Sequence, residues 1–72
     1  MPTFSDRLQQ LKSERNLLQK NIASAVNISL RTYQRYESGE RKPDSEVITK
    51  LADYFNVSTD YLLGLSDESE RR

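Results

Sequence analysis

Two four-residue segments, Val26-Asn27-Ile28-Ser29 and Phe55-Asn56-Val57-Ser58, repeat one device and leave few folds open to this chain. In each, an apolar residue is followed by asparagine, which tolerates the left-handed conformation that closes a helix when glycine is absent. A second apolar residue then returns to the core, and a serine is placed to cap the next helix. Asn16 offers a third stop of the same kind. Short helices joined by tight turns follow, and no stretch shows the alternation of a strand. The prediction is an all-α fold of five helices.

Taken in order, the first helix is predicted over 3–15, opened by a capping box of Thr3 and Asp6 and carrying the apolar stripe Phe4, Leu8 and Leu11. A second, short helix runs from Gln19 to Val26, with Ile22, Ala23 and Val26 on one face. Ser29 starts the third only a few residues later, which is the outline of a helix-turn-helix at about 18–38; a plain helical hairpin shares it. Gly39 can end this third helix, and Pro43 disfavours helix at Lys42. Asp44 caps a fourth helix through Tyr54, with Val47, Ile48, Leu51, Ala52 and Phe55 at helical spacing. Ser58 opens a short fifth helix, and Gly64 stops it. The domain is predicted over 1–65, and the polar stretch 66–72 is expected to be a disordered tail.

The third helix carries the functional signal. At about 100° per residue, Tyr33 and Tyr36 share one side, while Arg31 points almost directly away with Gln34 and Arg35 flanking it. A face of two tyrosines suits a core. The opposite face is a row of long donors, including guanidinium forks of the kind that pair with guanine edges and phosphates.

Composition narrows the chemistry. With 72 residues the chain forms one small domain, and a chain of that size buries only about 60% of its unfolded surface. It has no cysteine and no histidine, so thiolate metal sites, a cysteine nucleophile and the commonest general base are excluded. Its two glycines, Gly39 and Gly64, cannot build a phosphate cradle. An enzyme, a cofactor, a metal or a small-molecule ligand is therefore not expected. No apolar run approaches the roughly 18 residues of a membrane span, and the start lacks the pattern of a signal peptide, so a cytoplasmic protein is expected. Net charge is zero, yet residues 1–43 carry eight lysines and arginines against four acids, and residues 44–72 carry three against seven. The basic half contains the donor row.

The order and spacing of several short motifs resemble the Cro/cI type of helix-turn-helix regulators, also called the lambda-repressor-like or XRE family. They are Arg7-Leu8 with Leu11-Lys12, Gln19 with Ile22-Ala23, Asn27-Ile28-Ser29, Tyr36-Glu37-Ser38-Gly39 followed by Arg41-Lys42-Pro43, and Val57-Ser58 with Tyr61-Leu62-Leu63-Gly64. The resemblance covers about residues 7–65. It implies a five-helix domain whose third helix enters the major groove of double-stranded DNA. By family position Ser29, Leu30, Arg31 and Arg35 would face bases, Thr32 and Gln34 would make flanking contacts, and Gln19, Arg41 and Lys42 would touch phosphates. Glu37 resembles the family's structural acid and is expected to pair with Lys12 at the surface. Tyr33 and Tyr36 stand where branched aliphatics are usual, so their hydroxyls are expected to reach water or a partner.

Three residues depart from the family pattern. Asn27 replaces the turn glycine. Leu18 stands where serine or threonine usually caps the second helix, at a cost of about 1 kcal/mol. Leu30 offers no hydrogen bond, and is expected to touch a thymine methyl or to pack. The apolar surplus of Tyr54, Val57, Tyr61, Leu63 and Leu65 suggests a homodimer contact. The function implied is a dimeric, sequence-specific repressor on an inverted-repeat operator; the alternative is an antitoxin or adaptor whose helical surface binds a protein.

Overall fold

The computed structural model describes residues 2–70, and its regular elements are five helices: α1 Phe4–Glu14, α2 Gln19–Ala25, α3 Leu30–Ser38, α4 Ser45–Phe55 and α5 Thr59–Leu62. Each boundary has a local cause. The capping box on α1 forms in full, with the Thr3 hydroxyl accepting from Asp6 N at 3.1 Å and the Asp6 carboxylate accepting from Thr3 N at 3.0 Å. Ser29, Asp44 and Ser58 cap α3, α4 and α5 through the same kind of bond to a backbone N–H three residues on. Leu18, at the head of α2, makes no side-chain cap.

The three asparagine stops adopt the left-handed conformation, with φ of 54° at Asn16, 59° at Asn27 and 57° at Asn56. Gly64, at φ 78°, meets a second demand, because a Cβ there would collide with the carbonyl oxygen of Pro2. The N-terminal segment thus lies directly against the end of α5.

Helix α3 packs against α1 and α2, while α5 packs against α1 and α4. The shared core is built from Leu8 and Leu11 of α1, Ile22 and Ala23 of α2, Tyr33 and Tyr36 of α3, and Leu51, Ala52 and Phe55 of α4. Val57, Tyr61 and Leu62 close it from below. Among the described residues no helix is long and apolar enough to cross a membrane.

One expectation needs correction. Val57 and Tyr61 are core residues, 2% and 7% exposed, because Asn56 turns the chain back so that α5 lies over α1 and α4. They cannot supply a dimer contact, which leaves half-buried Tyr54 and Leu63 and the 67% exposed Leu65. The stretch from Ser66 to Ser69 makes contacts with the helices: Ser58 N donates to Ser69 O at 3.0 Å, the Ser58 hydroxyl to Glu68 O at 3.2 Å, and Arg7 binds Ser66 O and the Asp67 carboxylate at 3.3 and 3.0 Å. These are backbone and charge contacts, which a polar sequence makes without any apolar stripe to announce them. Residues 71 and 72 of the expected tail lie outside the described residues.

Two outcomes follow from the caps. Leu18→Ser is expected to add about 1 kcal/mol by supplying the missing acceptor, read as a rise of about 4 to 8 °C in Tm. The Thr3 backbone N–H, and then its hydroxyl, hold the Asp6 carboxyl below its ordinary value of 3.8. With the folded value below the unfolded one, the box stabilises the fold above the ordinary carboxylate range, and that stability is lost as pH falls through the folded value. An NMR titration should place the Asp6 midpoint below 3.8 and return it toward the ordinary value in Thr3→Ala.

Candidate nucleic-acid interface

The orientation of α3 is decided by its two tyrosines. Tyr33 is fully buried and Tyr36 nearly so, the latter edge-on to Phe4 with ring centroids 6.1 Å apart. Burying side chains of this size contributes about 1.5 to 3 kcal/mol each, more than any surface contact on the opposite side can offer. Arg31 and Gln34 are accordingly exposed, and Arg35 is half-buried beside them. Arg31, Gln34, Arg35 and Ser38, with Glu40 from the following loop, line a shallow cleft on this face. Among the described residues, Arg31, Arg35, Arg41 and Lys42 make no ion pair.

The other expected residues fall around this row. Gln34 Nε2 donates to Gln19 Oε1 at 3.2 Å, which ties the middle of α3 to the first residue of α2 across the turn. Gln19 is half-buried at a helix start whose backbone donors favour an anion. Leu30 is 42% exposed at the tip of α3, so it does not simply pack. Ser29 is engaged as the cap: its hydroxyl accepts from Thr32 N at 3.0 Å and donates to Thr32 Oγ1 at 2.8 Å. Arg41 and Lys42 are exposed in the loop after α3, with the Arg41 guanidinium 5.9 Å from the Tyr36 ring centroid. That ring holds the arginine near the C-terminal end of α3.

Behind the row, Lys12 Nζ donates to Glu37 Oε1 at 2.6 Å, the pairing expected from the sequence. It is not the surface pair anticipated, because Glu37 is only 7% exposed. The Tyr33 hydroxyl is closed off from water by helix packing, and the group it meets inside is the equally buried Glu37 carboxylate. Burial first, and then a hydrogen bond to Glu37 and the charge of that carboxylate, push the Tyr33 phenol far above its ordinary value, so it stays neutral.

Two residues of α1 take part without having been singled out. Ser5 and Gln9 both donate to the backbone oxygen of Glu37, the latter at 2.7 Å. With Lys12 they form a polar stripe at helical spacing, which is a legible signal only when α3 is known to lie against it. Arg7 occupies a stripe position between Phe4 and Leu11, where an arginine needs a special partner. It stacks on the Tyr61 ring at 3.9 Å and pairs with Asp67.

Lys12→Met is expected to destabilise the fold by about 1 to 3 kcal/mol, because the Glu37 carboxylate would stay buried with one donor fewer. Urea denaturation measures this, and adding Glu37→Gln to the same chain should recover most of the loss.

Comparison with known proteins places this geometry. A family described as helix-turn-helix matches residues 8–62. The chain is 37% identical over 69 residues to the HTH-type transcriptional regulator ImmR of Bacillus subtilis (strain 168), covering 96% of this chain and 54% of that protein. It is also 37% identical over 69 residues to the cryptic phage CTXphi transcriptional repressor RstR of Vibrio cholerae serotype O1 (strain ATCC 39315 / El Tor Inaba N16961), covering 93% of this chain and 62% of that one. The chain thus spans little more than half the length of such relatives. The crystal structure of a transcriptional regulator from Listeria innocua superposes with a TM-score of 0.83 at 40% identity, over 97% of this chain and 65% of that one. The P22 c2 repressor, solved in complex with a synthetic operator, shares the fold with a TM-score of 0.84 at 21% identity, over 92% of this chain and 100% of that one.

Proposed function

We infer, from a chain that belongs to the helix-turn-helix family in its Cro/cI, lambda-repressor-like form, that it binds double-stranded DNA sequence-specifically through α3 and regulates transcription, most simply as a repressor. The observation that carries this reading is the exposed face of α3, where Arg31, Gln34 and Arg35 stand clear of the core, the two arginines without an ion-pair partner. Relatives named as transcriptional regulators and repressors support it.

In this reading Ser29, Leu30, Arg31 and Arg35 face base edges, with the Arg31 guanidinium pairing bidentately with a guanine and Leu30 against a thymine methyl. Thr32 and Gln34 flank them. The start of α2 at Gln19, together with Arg41 and Lys42, takes phosphates, which fix the register and carry no sequence information. Affinity from so few cations is modest, so two copies are expected to act together on an inverted repeat with recognition helices about 34 Å apart. Tyr54, Leu63 and Leu65 remain available for that homodimer contact. Since the chain spans only part of its relatives' length, the operator, the regulated genes and any further partner belong to this proposal.

Selection of bound duplexes from a random pool tests it. An inverted repeat is expected to emerge, and Arg31→Ala should cost about 1 to 3 kcal/mol at one base pair of each half-site. Lys42→Ala should instead weaken all sequences alike and reduce the salt dependence by about one ion. No enrichment by the wild-type protein, alongside a protein that co-purifies in equal amount, would favour an antitoxin or adaptor role.

A further inference from the structure

Helix α3 ends at Ser38, and the carbonyls of its last turn find no backbone N–H partner within the helix, although Arg35 O accepts from the Ser38 hydroxyl at 3.1 Å. Two are met by the chain that follows: Arg35 O accepts from Glu40 N at 2.9 Å, and Tyr36 O from Gly39 N at 3.3 Å. Glu37 O is served differently. Its donors come from α1, where Gln9 Nε2 lies at 2.7 Å and the Ser5 hydroxyl also donates, with the two side chains themselves linked at 3.4 Å. The carboxylate of the same residue takes Lys12 at 2.6 Å. Ser5, Gln9 and Lys12 are spaced by four and three residues, so one stripe of α1 holds both the backbone and the side chain of a single residue in α3.

The two attachments do different things. An ion pair on a carboxylate restrains a side chain with rotatable bonds between it and the helix. A pair of donors on a backbone carbonyl restrains the helix itself. Arg31 lies six residues from Glu37, about 9 Å along the axis. A tilt of about 10° pivoting at Glu37 would therefore move the Arg31 backbone by roughly 1.5 Å, against a tolerance of about 0.5 Å for an ordered recognition site.

We propose that Ser5 and Gln9 are positioning residues for DNA reading: their joint hold on the Glu37 carbonyl fixes the tilt of α3, so that Arg31 reaches base edges in register. Neither residue touches DNA. The proposal rests on the reading of α3 as the DNA-contacting helix, but its mechanical half stands on the free protein.

The test uses Gln9→Met, which keeps length and removes the donor, Ser5→Ala, and the two combined, with Ser5→Thr as a variant that keeps a hydroxyl. Affinities are measured for the selected duplex and for a random duplex at one salt concentration. The combined variant is expected to lose about tenfold in the ratio of the two, while binding to random duplex, set by phosphate contacts, stays at the wild-type level. Ser5→Thr should keep the wild-type ratio. A ratio unchanged in the combined variant overturns the proposal, as does an equal loss on both duplexes. Amide exchange at Tyr36 to Glu40 in DNA-free protein gives a second readout. Gln9→Met alone should speed exchange there with exchange in α4 unchanged, and the absence of local acceleration overturns the proposal even where the combined variant does not fold. If wild-type protein prefers no sequence, the functional reading of α3 fails while the exchange result still decides the clamp.

Discussion

Burial of Tyr33 and Tyr36 is the constraint on which the rest depends. Three residues apart, they lie about 60° from each other on one side of α3, and whatever lies opposite faces outward. Since each aromatic contributes on the order of 1.5 to 3 kcal/mol when removed from water, no contact available to Arg31 or Gln34 could turn the helix the other way. The cationic row is exposed because the tyrosines are not. The same choice carries the Tyr33 hydroxyl into the core, where the buried Glu37 carboxylate is the group that faces it.

Helix α1 supplies the polar counterpart to that apolar anchor. It donates to the end of α3 through Ser5 and Gln9, which both bond Glu37 O, and Arg15, the residue that closes it, donates to Phe55 O at the end of α4. It also reaches α5, where Gln10 donates to the Tyr61 hydroxyl at 2.9 Å and Arg7 stacks on the same ring. Helix ends buried against other elements leave carbonyls that water cannot serve. In a domain this small, one central helix with donors on several faces meets that need without enlarging the core. The cationic face of α3 and the face left over around Leu65 are thereby connected through one helix.

Much of the fold could be read directly. Caps at Thr3, Ser29, Asp44 and Ser58, left-handed stops at Asn16, Asn27 and Asn56, and the end at Gly39 are local devices whose chemistry is complete within four residues, and the helices begin and end within a residue or two of where these place them. The pairing of Lys12 with Glu37 also emerged, though from a resemblance and as a surface contact. Accessibility is less legible. Val57 and Tyr61 read as surplus apolar surface because a stripe gives no measure of how much core three other helices demand. The contacts of residues 66–69 leave no pattern either, because they run through backbone carbonyls and one buried arginine.

The sequence by itself determined where each helix starts and stops and which side of α3 is apolar, because capping, left-handed turns and helical periodicity act over a few residues and need no knowledge of the remainder. Only the tertiary structure decided which side chains meet across helices: Gln34 with Gln19, Gln9 and Ser5 with the carbonyl of Glu37, Arg7 with Tyr61 and Asp67. Such contacts join residues 15 to 60 positions apart. Their existence depends on the angles at which whole helices pack, and those angles are set by the summed volume of the core, which no local pattern records.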